Sequence, residues 1–424
     1  KLENNKVYAV LHTLPGEAVY FDSLIIKGNS QLSNSYLSNY LGLKKGALYH
    51  EARVEKISNR LREITFITER QRHDKEFSGN KIRIIIYIDD KKASTFSGVA
   101  GILPDNVNPG KINVTGDIKL RLLNSFNHAE LFDLNWSNPL PKSQDLKIKL
   151  NYPFLFDFPF GLDVNLNLFK KDTTFLELER ELGIQHYLQG NNYIKVYASL
   201  VTSDLISVVG YENATTLPEF ADVRTTTYGV GWKFEKLDYR LNPRRGYSVE
   251  AQAGAGTKVI TRNSKINKEL YDSLDLRTNN YNGRGQGDIY IPVASRGVVN
   301  IGASGGWLFS PDIFENELYR FGGLKTLRGF NELSINASQY IIGKLEYRYI
   351  LDENSFLFLF GNMSYYENRS RNNFIHDAPY GYGGGINFST KLGIFSFTYA
   401  LGKQFDNPVL LKEGKVHFGI VNFF

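Results

Sequence analysis

Cysteine is absent from the 424 residues. That excludes disulfides, thiolate metal sites and cysteine nucleophiles. Long apolar runs are also missing. The densest, Ile84-Ile85-Ile86-Tyr87-Ile88 and Phe356-Leu357-Phe358-Leu359-Phe360, fall far short of the roughly 18 residues a helical membrane span needs. The seven histidines, at positions 12, 50, 73, 128, 186, 376 and 417, are scattered, and none has a helical partner at zinc-ligand spacing. Gly323-Leu324-Lys325-Thr326 lacks the glycine-lysine dipeptide and the strand-to-helix setting of a phosphate loop. No basic helix interleaved with aromatics is present, so nucleic acid is not an expected partner. The chain opens at Lys1 without a signal peptide, and is expected to be mature or cut from something longer.

What is abundant is aromatic. Tyr (26) and Phe (29) supply most of a 14% aromatic content, a load that suits β structure and membrane-interface girdles. The net charge of +6 is spread as short pairs, Lys44-Lys45, Lys91-Lys92, Lys170-Lys171 and Arg244-Arg245, which read as solvated turns.

Two regions differ in periodicity. Residues 19–92 read as a small α/β unit in the order strand, helix, helix, strand, strand. Val19–Lys27 is a strand ended by the turn pair Gly28-Asn29. Ser33 can cap a helix with Tyr36, Leu37, Tyr40 and Leu41 on one face, and Gly42 is a natural stop. Val54, Ile57, Leu61 and Ile64 recur at helical spacing, which predicts a second helix over about 50–64. Thr65–Arg72 and Lys81–Asp90 read as strands, the latter with Ile82, Ile84, Ile86 and Ile88 on one face. Residues 1–18 stand apart. Within them 6–12 look like a strand without a domain, either the last strand of an absent upstream unit or a mobile lead.

From about 93 onward helical periodicity gives way to alternation. Leu146, Ile148, Leu150 and Tyr152 alternate with Lys147, Lys149 and Asn151. Ile194, Val196, Ala198 and Leu200 alternate with Lys195, Tyr197 and Ser199. Leu345, Tyr347 and Tyr349 alternate with Lys344, Glu346 and Arg348. One face is greasy and the other carries full charges. In a soluble sandwich the greasy face is core, whereas in a membrane barrel it meets lipid and the charged face lines a wet interior. Roughly sixteen such strands fit before the chain ends, each of about 9–11 residues plus its connection. An even count permits closure, which abolishes sheet edges. The fold class is therefore mostly β: a transmembrane antiparallel barrel of about 16 strands over 93–424, preceded by one small α/β domain over 19–92.

Three motifs carry a family resemblance. The first is Leu237-Asp238, then Pro243 and Gly246. The second is Phe321-Gly322-Gly323 followed by Leu327-Arg328-Gly329-Phe330. The third is Gly383-Gly384-Gly385 with Leu392-Gly393 and the alternating Phe395, Phe397 and Tyr399. In this order the barrel region resembles that of BamA- and TamA-type outer-membrane assembly factors, a superfamily that includes two-partner secretion transporters. The 19–92 unit resembles a POTRA domain, and Phe21 with Gly28-Asn29 carries that likeness. The resemblance implies that Gly322, Gly323, Arg328, Gly329 and Phe330 sit at the tip of an extracellular loop folded into the lumen. Alternation puts Glu346 on the lumen face of the next strand as the expected partner of Arg328. The family commonly places an Asp on the following strand. This chain has Asn362 there, which can accept a hydrogen bond but brings no charge.

Val416, Phe418, Ile420 and Phe424 share one face of the last strand and resemble a barrel-targeting signal, with Asn422 where an aromatic is often found. Gly98 and Gly101 in the first barrel strand predict a loosely zipped seam between first and last strands. The expected function is insertion or export of polypeptides at the bacterial outer membrane, with the POTRA-like domain in the periplasm. The alternatives are a two-partner-type secretion pore and a barrel scaffold for a missing N-terminal enzymatic domain such as a lipase. Expected partners are unfolded client polypeptides, accessory periplasmic or lipoprotein subunits, and outer-membrane lipid. No catalytic residue, metal or cofactor is expected.

Overall fold

A computed structural model describes residues 2–3, 6–7, 16–104, 112–140, 142–155, 158–209, 214–371, 373–390 and 392–423. The N-terminal domain is a three-stranded sheet backed by helices. Its strands are Tyr20–Lys27, Ile67–Ser78 and Lys81–Asp90. The last is central, parallel to the first and antiparallel to the second. Helix Asn34–Leu41 starts where the Ser33 hydroxyl accepts from the Tyr36 amide, and stops at Gly42 in the left-handed region. Ile82, Ile84, Ile86 and Ile88 are fully buried against Leu37, Ile57 and Leu61.

Two details differ from the periodicity. The helix expected over 50–64 is broken into Glu51–Val54 and Ile57–Glu63, because the Lys56 amide bonds back to Arg53 in a tighter turn. That turn brings both Val54 and Ile57 into the core. The strand expected over Thr65–Arg72 runs on to Ser78, since its polar outer half still pairs with the central strand. Of residues 6–12, Lys6–Val7 form a minimal hairpin with Leu2–Glu3, and 8–12 lie outside the described residues.

Residues 95–423 form a closed antiparallel barrel of 16 strands, from Thr95–Pro104 to Lys415–Phe423. The fourteenth strand is built in two pieces, Ile375–Asp377 and Tyr380–Thr390, with Pro379 between them. Proline has no N–H to give to a ladder, so the break falls there. The wall is uneven. Strands opposite the closure reach 16 and 17 residues, whereas Leu131–Asn138, Lys415–Phe423 and Thr95–Pro104 have 8, 9 and 10.

Polarity is inverted relative to a soluble core. Val196 and Tyr228 are 55% and 66% exposed on the outside, in a belt with Leu182, Ile184, Val230 and Trp232. Asp163, Glu181 and Lys195 are buried inside, where the Lys195 ammonium lies 3.1 and 2.8 Å from the two carboxylates. Continuous apolar surface of this extent is stable only against lipid. No helix among the described residues is long and apolar enough to cross a membrane, so strands do the crossing.

The seam between first and last strands is not loosely zipped. It pairs without interruption over eight positions, from Val416 opposite Ile102 to Phe423 opposite Thr95. Gly101 serves close packing instead. A Cβ there would lie 2.5 Å from the Thr115 hydroxyl oxygen and 3.4 Å from the His417 ring.

The N-terminal domain lies across one mouth of the barrel, here called the near mouth. Tyr36 packs edge-on against Phe154 of the barrel, and one apolar cluster runs from the domain core to Tyr187 and Tyr193. The Arg240 guanidinium donates to the Glu63 carbonyl at 2.5 Å. Arg240 belongs to the near-mouth turn after strand Asp222–Leu237, which a single carboxylate organises. Asp238 Oδ1 accepts from the amides of Tyr239, Arg244 and Arg245 at 2.9, 3.0 and 3.1 Å. The turn ends at Gly246, whose φ is 116° and where a Cβ would sit 1.9 Å from the Lys236 carbonyl oxygen. Gly246→Ala should therefore destabilise the barrel by about 1–3 kcal/mol. The expected readout is a lower temperature for loss of the compact, fast-migrating species in detergent gels. An unchanged temperature would contradict the strain argument.

Candidate functional site

The site is the loop between strands Gly297–Phe309 and Gln339–Ile350, which enters the lumen from the far mouth. A small hairpin, Tyr319–Phe321 paired with Ile335–Ala337, carries it. Its tip, residues 322–334, is closed by its own bonds. The Gly323 amide donates to the Leu327 carbonyl at 3.0 Å, and the Gly322 amide to the Thr326 hydroxyl at 2.9 Å. The Glu332 carboxylate accepts from the Leu324 amide at 2.7 Å. Gly322, Gly323 and Gly329 all adopt positive φ, and a Cβ on Gly323 would strike the Glu332 carboxylate. Phe330 and Leu327 are buried with Phe321, Ile335, Ile342 and Tyr366, which fixes the tip to the wall. This is hydrophobic anchoring of a polar loop: buried apolar area holds it and the backbone satisfies itself.

Arg328 meets Glu346. Its Nη1 lies 2.6 Å from one carboxylate oxygen, off the line of its N–H, so the contact is a charge pair rather than an aligned hydrogen bond. The other Glu346 oxygen accepts from Arg348 Nε at 2.7 Å. Glu346, 3% exposed, is thus shared by two guanidinium groups. The second positive charge is spread over aromatic faces. Arg328 stacks over Phe360 at 4.3 Å, and Arg348 over Phe356 at 5.0 Å and Tyr290 at 5.3 Å. Phe356, Phe358 and Phe360 all face inward, while Leu357 and Leu359 of the same strand face out.

Asn362 also lies at Arg328, in the opposite sense to the expectation. Rather than accepting from the guanidinium, its amide donates to the Arg328 backbone carbonyl at 3.2 Å. Two further glycines seat the tip. A Cβ on Gly381 would lie 1.9 Å from the Arg328 carbonyl oxygen, and one on Gly402 2.7 Å from the Gly329 carbonyl oxygen. The glycine-rich strand Tyr380–Thr390 therefore makes room for the loop backbone.

Val416, Phe418 and Ile420 are not part of this assembly. They lie on the outer face of the last strand, where Phe418 and Ile420 are exposed. Asn422 donates to the Leu392 carbonyl at 2.7 Å, which accounts for a polar residue in that row. Phe424 lies outside the described residues.

Sequence reasoning missed the other anchors of the loop. Lys258, fully buried, lies 2.6 Å from Glu317 and donates to the Asp312 carbonyl at 2.8 Å. Arg320 pairs with Glu177 at 2.6 Å and stacks over Phe169 at 4.2 Å. Lys325 reaches Asp117 at 2.6 Å. Glu177 and Glu346 stand on strands with five others between them, so the loop spans the lumen from wall to wall. At its root Phe314 is buried with Val208, Leu217, Ile266 and Tyr271 of the neighbouring far-mouth loops. At the near mouth a cavity of about 670 Å³ remains, lined by Tyr36, Phe66, Phe154, Tyr187, Lys149 and Arg240 among others. Burial raises the Tyr40 phenol of the N-terminal domain well above its ordinary range, so it stays protonated and donates to Glu63 at 3.1 Å.

Arg328→Ala should leave a folded, heat-modifiable barrel with faster amide exchange across 319–337. Glu346 keeps Arg348, so the loss should stay below the roughly 3–5 kcal/mol of a buried carboxylate left bare. Because Lys258 and Arg320 still hold the loop, planar-bilayer recordings should show brief openings, and a stable large conductance only when Arg320→Ala and Lys258→Ala are added. A silent triple variant would exclude the loop as the plug. Asn362→Asp places a carboxylate against the Arg328 carbonyl and removes the donor, so it should loosen the tip. Slower exchange of 327–330 in that variant would show the opposite.

The Omp85 superfamily domain matches residues 113–424, and a POTRA model described as surface antigen variable number repeat matches residues 19–91. No curated protein matches the chain significantly in sequence. Among solved structures the chain is similar to BamA from Haemophilus ducreyi lacking POTRA domains 1–3. The TM-score is 0.55 at 15% identity, covering 96% of this chain and 85% of that one. It is similar to CdiB from Acinetobacter baumannii, with a TM-score of 0.63 at 12% identity over 96% of this chain and 74% of that one. CdiB from Escherichia coli gives 0.54 at 11% identity over 99% and 93%. At such identities these likenesses are of fold. The family match covers well over half of the chain, which belongs to the Omp85 superfamily: an outer-membrane β-barrel of the insertase and secretion-transporter kind, preceded by a POTRA domain.

Proposed function

We propose that this protein assists the folding and insertion of β-barrel proteins into the outer membrane, with its POTRA domain in the periplasm. The observation that carries the proposal is the crossed lumen. The loop is tied to strands on both sides of the interior by Arg328–Glu346, Arg320–Glu177 and Lys258–Glu317, and the POTRA domain lies over the near mouth. An unfolded chain threading the pore would have to displace all of these contacts. The seam, where the first and last barrel strands meet, offers the other route. Parting them exposes unpaired N–H and C=O groups that template an incoming strand. The chemistry is backbone hydrogen bonding in a locally thin bilayer, and no catalytic residue or cofactor is required.

The partners on this reading are unfolded outer-membrane polypeptides and accessory periplasmic or lipoprotein subunits. Depletion of the protein in its host tests it. Many outer-membrane barrels should fall in abundance together, by membrane proteomics. Loss of one secreted polypeptide with other barrels unchanged would instead assign a two-partner-type pore.

A further inference from the structure

We propose that the loop tip is a strap across the barrel seam, fixed on the C-terminal side and releasable on the N-terminal side, with the Lys325–Asp117 pair as its latch. Asp117 lies on strand Ile112–Leu123, next to the first seam strand. It stands opposite Val99, and Val99 in turn stands opposite Gly419 of the last strand. On the other side, Gly329 rests on Leu401 and Gly402 of strand Gly393–Lys403, the neighbour of the last strand. In the barrel order both seam strands stand between these two contacts, and the tip bridges them. It does so as one stiff piece, because the bonds from Gly322, Gly323 and Leu324 to Thr326, Leu327 and Glu332 close the intervening turn.

The two ends of the strap differ in strength. The Lys325 and Asp117 side chains are 56% and 22% exposed, so solvent screens their attraction and the pair is weak. The Arg328 and Glu346 side chains are 17% and 4% exposed, and that end adds the Phe360 face, the Asn362 bond to the backbone and the buried Phe330. When the seam parts, the weaker end yields first. The loop then stays with the C-terminal wall while the N-terminal strands swing free. Loop position and seam closure are thereby linked through one exposed ion pair. The inference concerns the protein without cargo, so it stands or falls separately from the assembly role.

The test is hydrogen–deuterium exchange of the seam amides, residues 95–104 and 415–423, in the full chain reconstituted in lipid nanodiscs. Lys325→Ala and Asp117→Ala should each speed that exchange by about two- to fivefold, the range a partly exposed ion pair supports. Exchange in strand Phe175–Gln189, remote from the seam, should stay at the wild-type rate. The charge-swapped double variant, Asp117→Lys with Lys325→Asp, should return the seam to the wild-type rate. Because the chain has no cysteine, Asp117→Cys with Lys325→Cys gives one thiol pair, which a bis-maleimide with about the reach of the lost lysine stem can join. The bridged form should exchange more slowly at the seam than the unbridged form. Wild-type seam exchange in both alanine variants overturns the latch, as does a swapped variant as fast as the single ones. Should the alanine variants fail to fold, the bridged and unbridged forms of one preparation, with bridging verified by mass spectrometry, still decide, and equal seam exchange in the two overturns the proposal.

Discussion

Glu346 is the group on which the arrangement of the lumen turns. A carboxylate this deeply buried costs several kcal/mol unless paired, and here two guanidinium groups flank it. One, Arg348, belongs to the same strand and is always at hand. The other, Arg328, arrives only when the loop folds inward. The pairing does not neutralise the site, since two positive charges face one negative. The inward row Phe356, Phe358 and Phe360 supplies the difference by presenting ring faces to both cations. Loop, carboxylate and aromatic row are one construction, and removing any part changes the charge balance of the rest.

The same logic extends around the barrel. A soluble protein hides apolar side chains and leaves charges in water. This wall does the reverse, so its interior must satisfy charges at close quarters. Asp163, Glu181 and Lys195 do so on strands remote from the loop. Lys258 and Glu317 do so at its root, where the ammonium is fully buried and also bonded to a carbonyl. Charge pairs work here beside the apolar anchors at Phe314 and Phe330. Water entering the lumen can replace the charge pairs in turn, whereas the apolar contacts resist hydration.

Legibility in the sequence followed from which face a residue must take. The isoleucines of Lys81–Asp90 alternate, so their burial was readable, and Ser33 and Gly42 mark helix ends by chemistry that is local. Alternation along 344–348 was enough to put Glu346 on the inner face. It failed at Phe356–Phe360, where both faces are apolar and nothing in the pattern says that the phenylalanines point in and the leucines out. It also failed for Lys258, because any inward cation has many carboxylates within reach of imagination and only folding selects Glu317. Asn362 illustrates a different limit. An amide has a donor end and an acceptor end, and the sequence cannot say which one meets Arg328. The glycines at 98 and 101 looked like weak points in a strand, yet Gly101 is small because Thr115 and His417 fill the space beside it.

The second arginine also connects the loop to the opposite end of the molecule. Arg348 donates to the Asn242 side chain at 3.2 Å, and Asn242 donates to the Glu353 carbonyl at 3.0 Å. Asn242 lies in the near-mouth turn organised by Asp238, and Arg240 of that turn holds the Glu63 carbonyl of the POTRA domain. Contacts therefore run without a gap from the domain to the turn, from the turn to Arg348, and from Arg348 to the carboxylate that Arg328 uses. Each step is a hydrogen bond, an ion pair or the backbone of the turn itself. A shift of the domain that moves the turn must alter the partners of Arg348, and Arg348 shares its only carboxylate among these contacts with the loop. The near mouth and the loop tip are thus joined through Arg348 and the carboxylate it shares with Arg328, which gives the two ends of the barrel a common element to act on.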